Sequence, residues 1–218
     1  MRVTVYALVF IALLITAFLS AGFGSQAAIY VYDELRPFVT RYATPFCISR
    51  LRERGVSFTQ IPDQAAGQCR VLNAVRVSHI KETKLSRSAI MTCGLALNFS
   101  DWIEEINRLS LEKLGHKIEL VEHAGTYNCR QQRGSKVLSE HAFANGIDIK
   151  SFTIGGTEYT VERDWSSPQR EMFLREAFSK ACWSFGLALG PQNDSAHSDH
   201  FHLDNGTSLG LSKMRCIL

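Results

Sequence analysis

The sequence predicts an α+β domain: a small antiparallel sheet, flanked by two main helices and braced by disulfides. Three observations predict it. Two long stretches carry apolar residues at helical spacing, short apolar runs are separated by turn residues, and six cysteines are dispersed with no Cys-x-x-Cys pair. At 218 residues the chain has room for one domain with a sizeable core and a small appendage. Its 24 basic and 21 acidic residues leave a net charge of +3, which gives no electrostatic argument for a nucleic-acid partner. With only 5 prolines, a fibrous or Pro-rich structural chain is excluded.

In chain order, the first segment sets the compartment. Arg2 is followed by no charged residue until Asp33, and residues 3–23 are almost wholly apolar. As a helix they span roughly 30 Å, the thickness of a bilayer core. Two readings of residues 1–27 stay open: an uncleaved signal anchor, which the length favours, or a signal peptide cleaved near Gly22-x-Gly24 or Ser25-x-Ala27. Either one exports the rest of the chain. Residues 28–44 read as a connector, with Pro37 and Pro45 interrupting any helix, and 45–218 as the domain.

Outside the cytoplasm, six cysteines read as three bridges. Chain proximity suggests Cys47–Cys69, Cys182–Cys216 would tie the C-terminus to the core, and Cys93–Cys129 remains. From Cys47 to Ile80, short runs such as 56–58 and 71–80 read as strands. Thr92 is an N-cap signal for a helix through Leu114, with Leu95, Trp102, Ile103, Ile106 and Leu109 on one stripe and Gly115 as the stop. Residues 117–123 read as a strand. Gly155-Gly156 is a hairpin turn between strands 147–154 and 158–164. Ser167-Pro168 opens the second helix, carrying Met172, Phe173, Ala177, Phe178, Ala181 and Phe185, and 200–204 is the final strand.

Three of the seven histidines fall within six residues, as His197-Ser-Asp-His200-Phe-His202. In a strand, His200 and His202 share a face while Phe201 and Leu203 point into the core. Upstream, His141 precedes Asp148 by seven residues, and Asp148 lies between Ile147 and Ile149, opposite that apolar pair. If the two strands are neighbours, His141, Asp148 and His202 form a three-ligand set. Two neutral imidazoles and a carboxylate, with a fourth position open to water, are the donor set of a catalytic zinc. The small sheet is therefore expected to carry a zinc site. The isolated His79, His116 and His123 read as surface or hydrogen-bonded histidines.

AGTYNCR (124–130), SEHAFANGIDI (139–149) and H-x-x-H-F-H (197–202) together resemble the bacterial extensin-like C-terminal domain family, over roughly residues 45–218. More distantly they are similar to the zinc peptidases that cleave D-Ala-D-Ala and related cross-links in peptidoglycan. The resemblance implies His141, Asp148 and His202 as zinc ligands, Ser139 as a substrate contact and Arg130 as the residue that binds or polarises substrate. An arginine fork suits a terminal carboxylate or a developing oxyanion. In the carboxypeptidases a glutamate stands three residues before the last ligand. Here that position is Asp199, one methylene shorter. The related endopeptidases carry H-x-x-H-x-H, which His197, His200 and His202 match. His200 is the preferred base on strand geometry, Asp199 the second choice, and His197 a substrate contact.

The expected protein is a zinc-dependent peptidase of the bacterial cell envelope, on the periplasmic side. It acts on peptidoglycan peptides and is held to the inner membrane through residues 3–23, with no nucleic-acid partner. The alternative is a catalytically inactive zinc-containing module that binds peptidoglycan or an envelope protein.

Overall fold

The computed structural model describes residues 46–206. The expected anchor or signal segment, the connector, Pro45 and Cys216 lie outside the described residues. Among the described residues no helix is long and apolar enough to cross a membrane.

The domain is mixed α+β, but its sheet is neither small nor wholly antiparallel. The strands are β1 (Val56–Gln60), β2 (Gln64–Ala66), β3 (Cys69–Val71), β4 (Ala74–Ile80), β5 (Thr83–Thr92), β6 (Ile118–Gly125), β7 (Gly146–Ile154), β8 (Thr157–Thr160), β9 (Leu187–Leu189) and β10 (Phe201–Asp204). Eight of them form one sheet, ordered β1-β4-β5-β6-β7-β10-β9 with β8 also on β7, while β2 and β3 make a separate ribbon. β10 takes Gly146–Ile149 of β7 and β8 takes Ser151–Ile154.

One pair, β5–β6, is parallel. The cause is the helix between them, α1 (Cys93–Leu114), whose 22 residues are about 33 Å long and carry the chain back to the end where β5 began. β5 escapes pattern reading because Lys84, Ser86, Arg87 and Ser88 dilute its apolar alternation; only Leu85, Ala89 and Met91 mark its buried side, together with Thr83.

α1 has the expected bounds. The Thr92 hydroxyl accepts from the Leu95 N–H at 3.2 Å, and Gly115 closes the helix at φ 75°, a left-handed conformation that glycine adopts without penalty. Its predicted stripe is buried, as is Phe99. The second long helix, α3 (Glu171–Ser184), starts later than expected and turns Phe173, Leu174, Ala177, Phe178 and Ala181 inward. Met172, one position off that stripe, faces solvent. The two helices lock together where Trp102 Nε1–H donates to the Ala177 carbonyl at 3.0 Å, and the indole meets Phe152 and Phe185 edge-on.

Two further expectations are corrected. Residues 46–53 are helical rather than extended, burying Cys47, Ile48 and Leu51 in the main core. Only Glu158–Thr160 of the predicted 158–164 strand pairs with β7, as part of β8; Val161–Asp164 (α2) turns helical. Asp164 is the reason. It accepts from the Thr160 N–H at 2.9 Å and from Arg163, and it is held below the usual carboxylate range by that guanidinium, against the effect of burial.

Two disulfides join described residues, Cys47–Cys93 and Cys69–Cys129, so neither the expected Cys47–Cys69 nor the expected Cys93–Cys129 bridge forms. The helical stretch 46–53 lies against α1, where Arg54 also pairs with Asp101, so Cys47 meets Cys93 at the first turn. The β2–β3 ribbon leaves the main sheet and packs by Cys69 against Ala142 and Phe143, next to the loop that carries Cys129. Cys182 is disulfide-bonded as well; its expected partner, Cys216, is outside the described residues.

Candidate metal centre

The helices cover one face of the sheet and the histidine cluster sits on the other. Ile147, Ile149, Phe201 and Leu203 are fully buried beneath it, so strand alternation turns Asp148 and His202 to the opposite side. The register places them directly across from each other, His202 on β10 against Asp148 on β7. His141 arrives from a 3₁₀ turn, Glu140–Phe143, capped by the Ser139 hydroxyl, which accepts from the His141 N–H at 3.3 Å. Ala144 then reverses the chain at φ 54° and passes it into β7. Turn, reversal and strand start consume the seven-residue spacing and bring the imidazole back over Asp148.

One nitrogen of each imidazole and one carboxylate oxygen lie within 4.8 Å of one another. His141 Nε2 is 3.1 Å from Asp148 Oδ1 and 3.1 Å from His202 Nδ1, and His202 Nδ1 is 2.9 Å from Asp148 Oδ1. Tetrahedral coordination at about 2.0–2.2 Å puts donor atoms roughly 3.3 Å apart, so the triangle is close to the size a small divalent cation requires. The remote nitrogens have partners that can only accept. His141 Nδ1–H donates to the Thr126 carbonyl at 3.2 Å and His202 Nε2–H to Asp204 Oδ2 at 2.8 Å. That fixes the tautomer of neutral His141, whose lone pair faces the triangle.

The centre of this triangle demands positive charge. Asp148 is held far below its ordinary range: burial opposes ionisation, but the imidazoles of His141 and His202 beside it outweigh that. His202 is buried, which disfavours its cation, yet Asp148 and Asp204 raise it to about 9. Without a cation, His202 therefore supplies the charge as a proton. A divalent ion held here would have to displace that proton, so its affinity would fall as pH drops below about 9, by up to about tenfold per unit near neutrality. Calorimetry at pH 7 in buffers of different ionisation enthalpy is expected to report about one proton released per ion bound.

The triangle opens into a cleft of about 840 Å³ lined by Arg130, Ser139, His197 and His200 among others. Arg130 is exposed, while buried Ser139 spends its hydroxyl on the turn carrying His141. His200 Nε2 lies 3.7 Å from Asp148 Oδ1, and its Nδ1–H donates to Asp199 Oδ1 at 2.7 Å. Asp199 does not line the cleft. Its other oxygen accepts from Lys150 at 2.6 Å, and first Lys150, then His200, lower it to about 2. The structure thus brings His200 to the triangle and puts Asp199 behind it. His197 Nδ1–H donates to Asp194 at 2.7 Å, with the ring 5.3 Å from that of His200 and 5.9 Å from that of His202.

A model of the extensin-like protein C-terminus matches residues 45–216. The chain belongs to that family. Neither a curated protein nor a solved structure matches it. In this extensin-like domain Thr126, Lys150, Asp194 and Asp204 support the cluster, and pattern reading passes over all four. Lys150 and Asp204 could have been found, because each lies two residues from a proposed ligand on the same strand face. The Thr126 contact uses a main-chain carbonyl and leaves no side-chain signal. His123, expected to be surface or hydrogen-bonded, is buried on β6. Its Nε2–H donates to the Arg87 carbonyl at 2.9 Å, Nδ1 has no partner among the described residues, and burial lowers its pKa.

Proposed function

We propose that this extensin-like domain is a zinc-dependent peptidase of the cell envelope that hydrolyses peptide bonds of peptidoglycan stem peptides or cross-links. The observation that carries the reading is the triangle of His141, Asp148 and His202, of which Asp148 and His202 line an open cleft. Two imidazoles and one carboxylate are a zinc donor set that leaves coordination free for water or substrate. The disulfides support an oxidising compartment, in keeping with export and a tether through residues 3–23.

When bound, zinc would polarise the scissile carbonyl and acidify its water. The rest falls to the chain. His141, Asp148 and His202 would hold the ion. His200, with Nδ1–H committed to Asp199, keeps an Nε2 lone pair toward the cleft and is placed to take a proton from the attacking water and return it to the leaving amine. Asp199, anchored by Lys150, orients that ring and balances its charge when protonated. Arg130 on the cleft wall offers a planar donor fork to a substrate carboxylate or oxyanion.

The test uses the full chain on purified sacculi, with and without a chelator, reading muropeptides by mass spectrometry. Metal-dependent new fragments are expected from the wild type and are lost in His200→Ala without loss of bound metal. Sacculus binding with no metal-dependent fragment would instead favour the non-cleaving module.

A further inference from the structure

Asp204 is the most enclosed carboxylate near the cluster, and neither the family match nor the proposed ligand set uses it. Its side chain is buried at 5% exposure, and both oxygens are committed. Oδ2 accepts from His202 Nε2–H at 2.8 Å, while Oδ1 accepts from the Gly206 N–H at 2.6 Å. The backbone fits closely around it: a Cβ on Gly206 would come within 2.6 Å of Asp204 Oδ1. The main-chain carbonyl of Asp204 also accepts from the Gly186 N–H at 2.9 Å, anchoring the residue independently of its side chain.

We propose that Asp204 is a positioning residue for the metal centre: it keeps the proton of neutral His202 on Nε2 and thereby presents Nδ1 as the donor to a divalent cation. The inference rests on the reading of His141, Asp148 and His202 as a metal site. The imidazole has two neutral tautomers, and only the one protonated on Nε2 leaves the Nδ1 lone pair free. A buried carboxylate accepts and never donates, so it selects that tautomer, fixes the ring's rotation and makes the ligating nitrogen more basic. An asparagine of the same shape cannot do this. If its oxygen stays on the Gly206 N–H, its amide donates toward His202 Nε2 and drives the proton to Nδ1, the nitrogen the ion needs. If it flips, two donors face each other at Gly206.

The test is a competitive zinc titration of the full chain against a chromophoric chelator, for wild type, Asp204→Asn and Gly206→Ala. It is joined to nitrogen-15 spectra of the histidine rings. Both variants are expected to lose about 10–100-fold in zinc affinity, the usual size for a carboxylate behind a ligating histidine. Zinc-loaded wild type is expected to show His202 protonated on Nε2. If Asp204→Asn does not fold, Gly206→Ala and the wild-type spectrum carry the test. Unchanged affinity in the folded variants, or a wild-type His202 without a proton on Nε2, overturns the positioning role and leaves the metal centre standing. A wild type that takes up no zinc overturns the metal centre and this proposal with it.

Discussion

His202→Ala is expected to abolish stoichiometric zinc and, with it, any metal-dependent release of muropeptides. The substitution removes one corner of a triangle whose edges are 2.9–3.1 Å, leaving one imidazole and one carboxylate. It also leaves Asp148 and Asp204 without the group that answers their charge. The affinity loss should exceed the roughly 10–100-fold that removal of a supporting residue costs. His202→Gln separates the two effects: an amide can still donate within the pocket, but it is a poor replacement for an imidazole on zinc. Metal content per chain, measured by elemental analysis, decides the matter. A His202→Ala protein that retains one zinc at wild-type affinity would remove His202 from the ligand set.

Trp102→Ala is expected to lower the unfolding free energy by about 3–5 kcal/mol, a large share of the roughly 5–15 kcal/mol available to a domain. Trp102 is fully buried in α1, at the centre of the contact between α1, α3 and the sheet. Its loss opens a large cavity in close-packed surroundings and orphans the Ala177 carbonyl that accepts its N–H. At about 2–4 °C per kcal/mol for a domain of this size, the thermal midpoint should fall by roughly 6–20 °C. Trp102→Phe keeps most of the volume but not the hydrogen bond, so a smaller loss is expected there. A Trp102→Ala shift under 2 °C would contradict the central place given to the indole.

What could be read from the sequence was what repeats locally. α1 was legible from its cap, stripe and stop, because each of those signals acts within one or two helical turns. The candidate metal cluster was legible for a similar reason: alternation along a strand assigns Asp148 and His202 to one face before their neighbours are known. The sheet was underestimated because β5 carries a diluted pattern and because its parallel partner is reached only through a 22-residue helix. Asp199 stood as second choice behind His200 for the expected base because one-dimensional spacing does not say that Lys150, on another strand, occupies the Asp199 carboxylate.

The six dispersed cysteines show the same division. Their even number and dispersed spacing pointed to a disulfide-braced chain without a Cys-x-x-Cys metal site, since composition suffices for that. Which cysteine meets which was decided by packing alone. The helical stretch 46–53 lies against α1 and the β2–β3 ribbon stands against the turn that carries His141, so the two bridges between described residues are Cys47–Cys93 and Cys69–Cys129. Residue types and periodicity act over a few residues and are written in the chain. Pairing, register and the partner behind each histidine depend on which surfaces bury each other, and only the folded domain decides that.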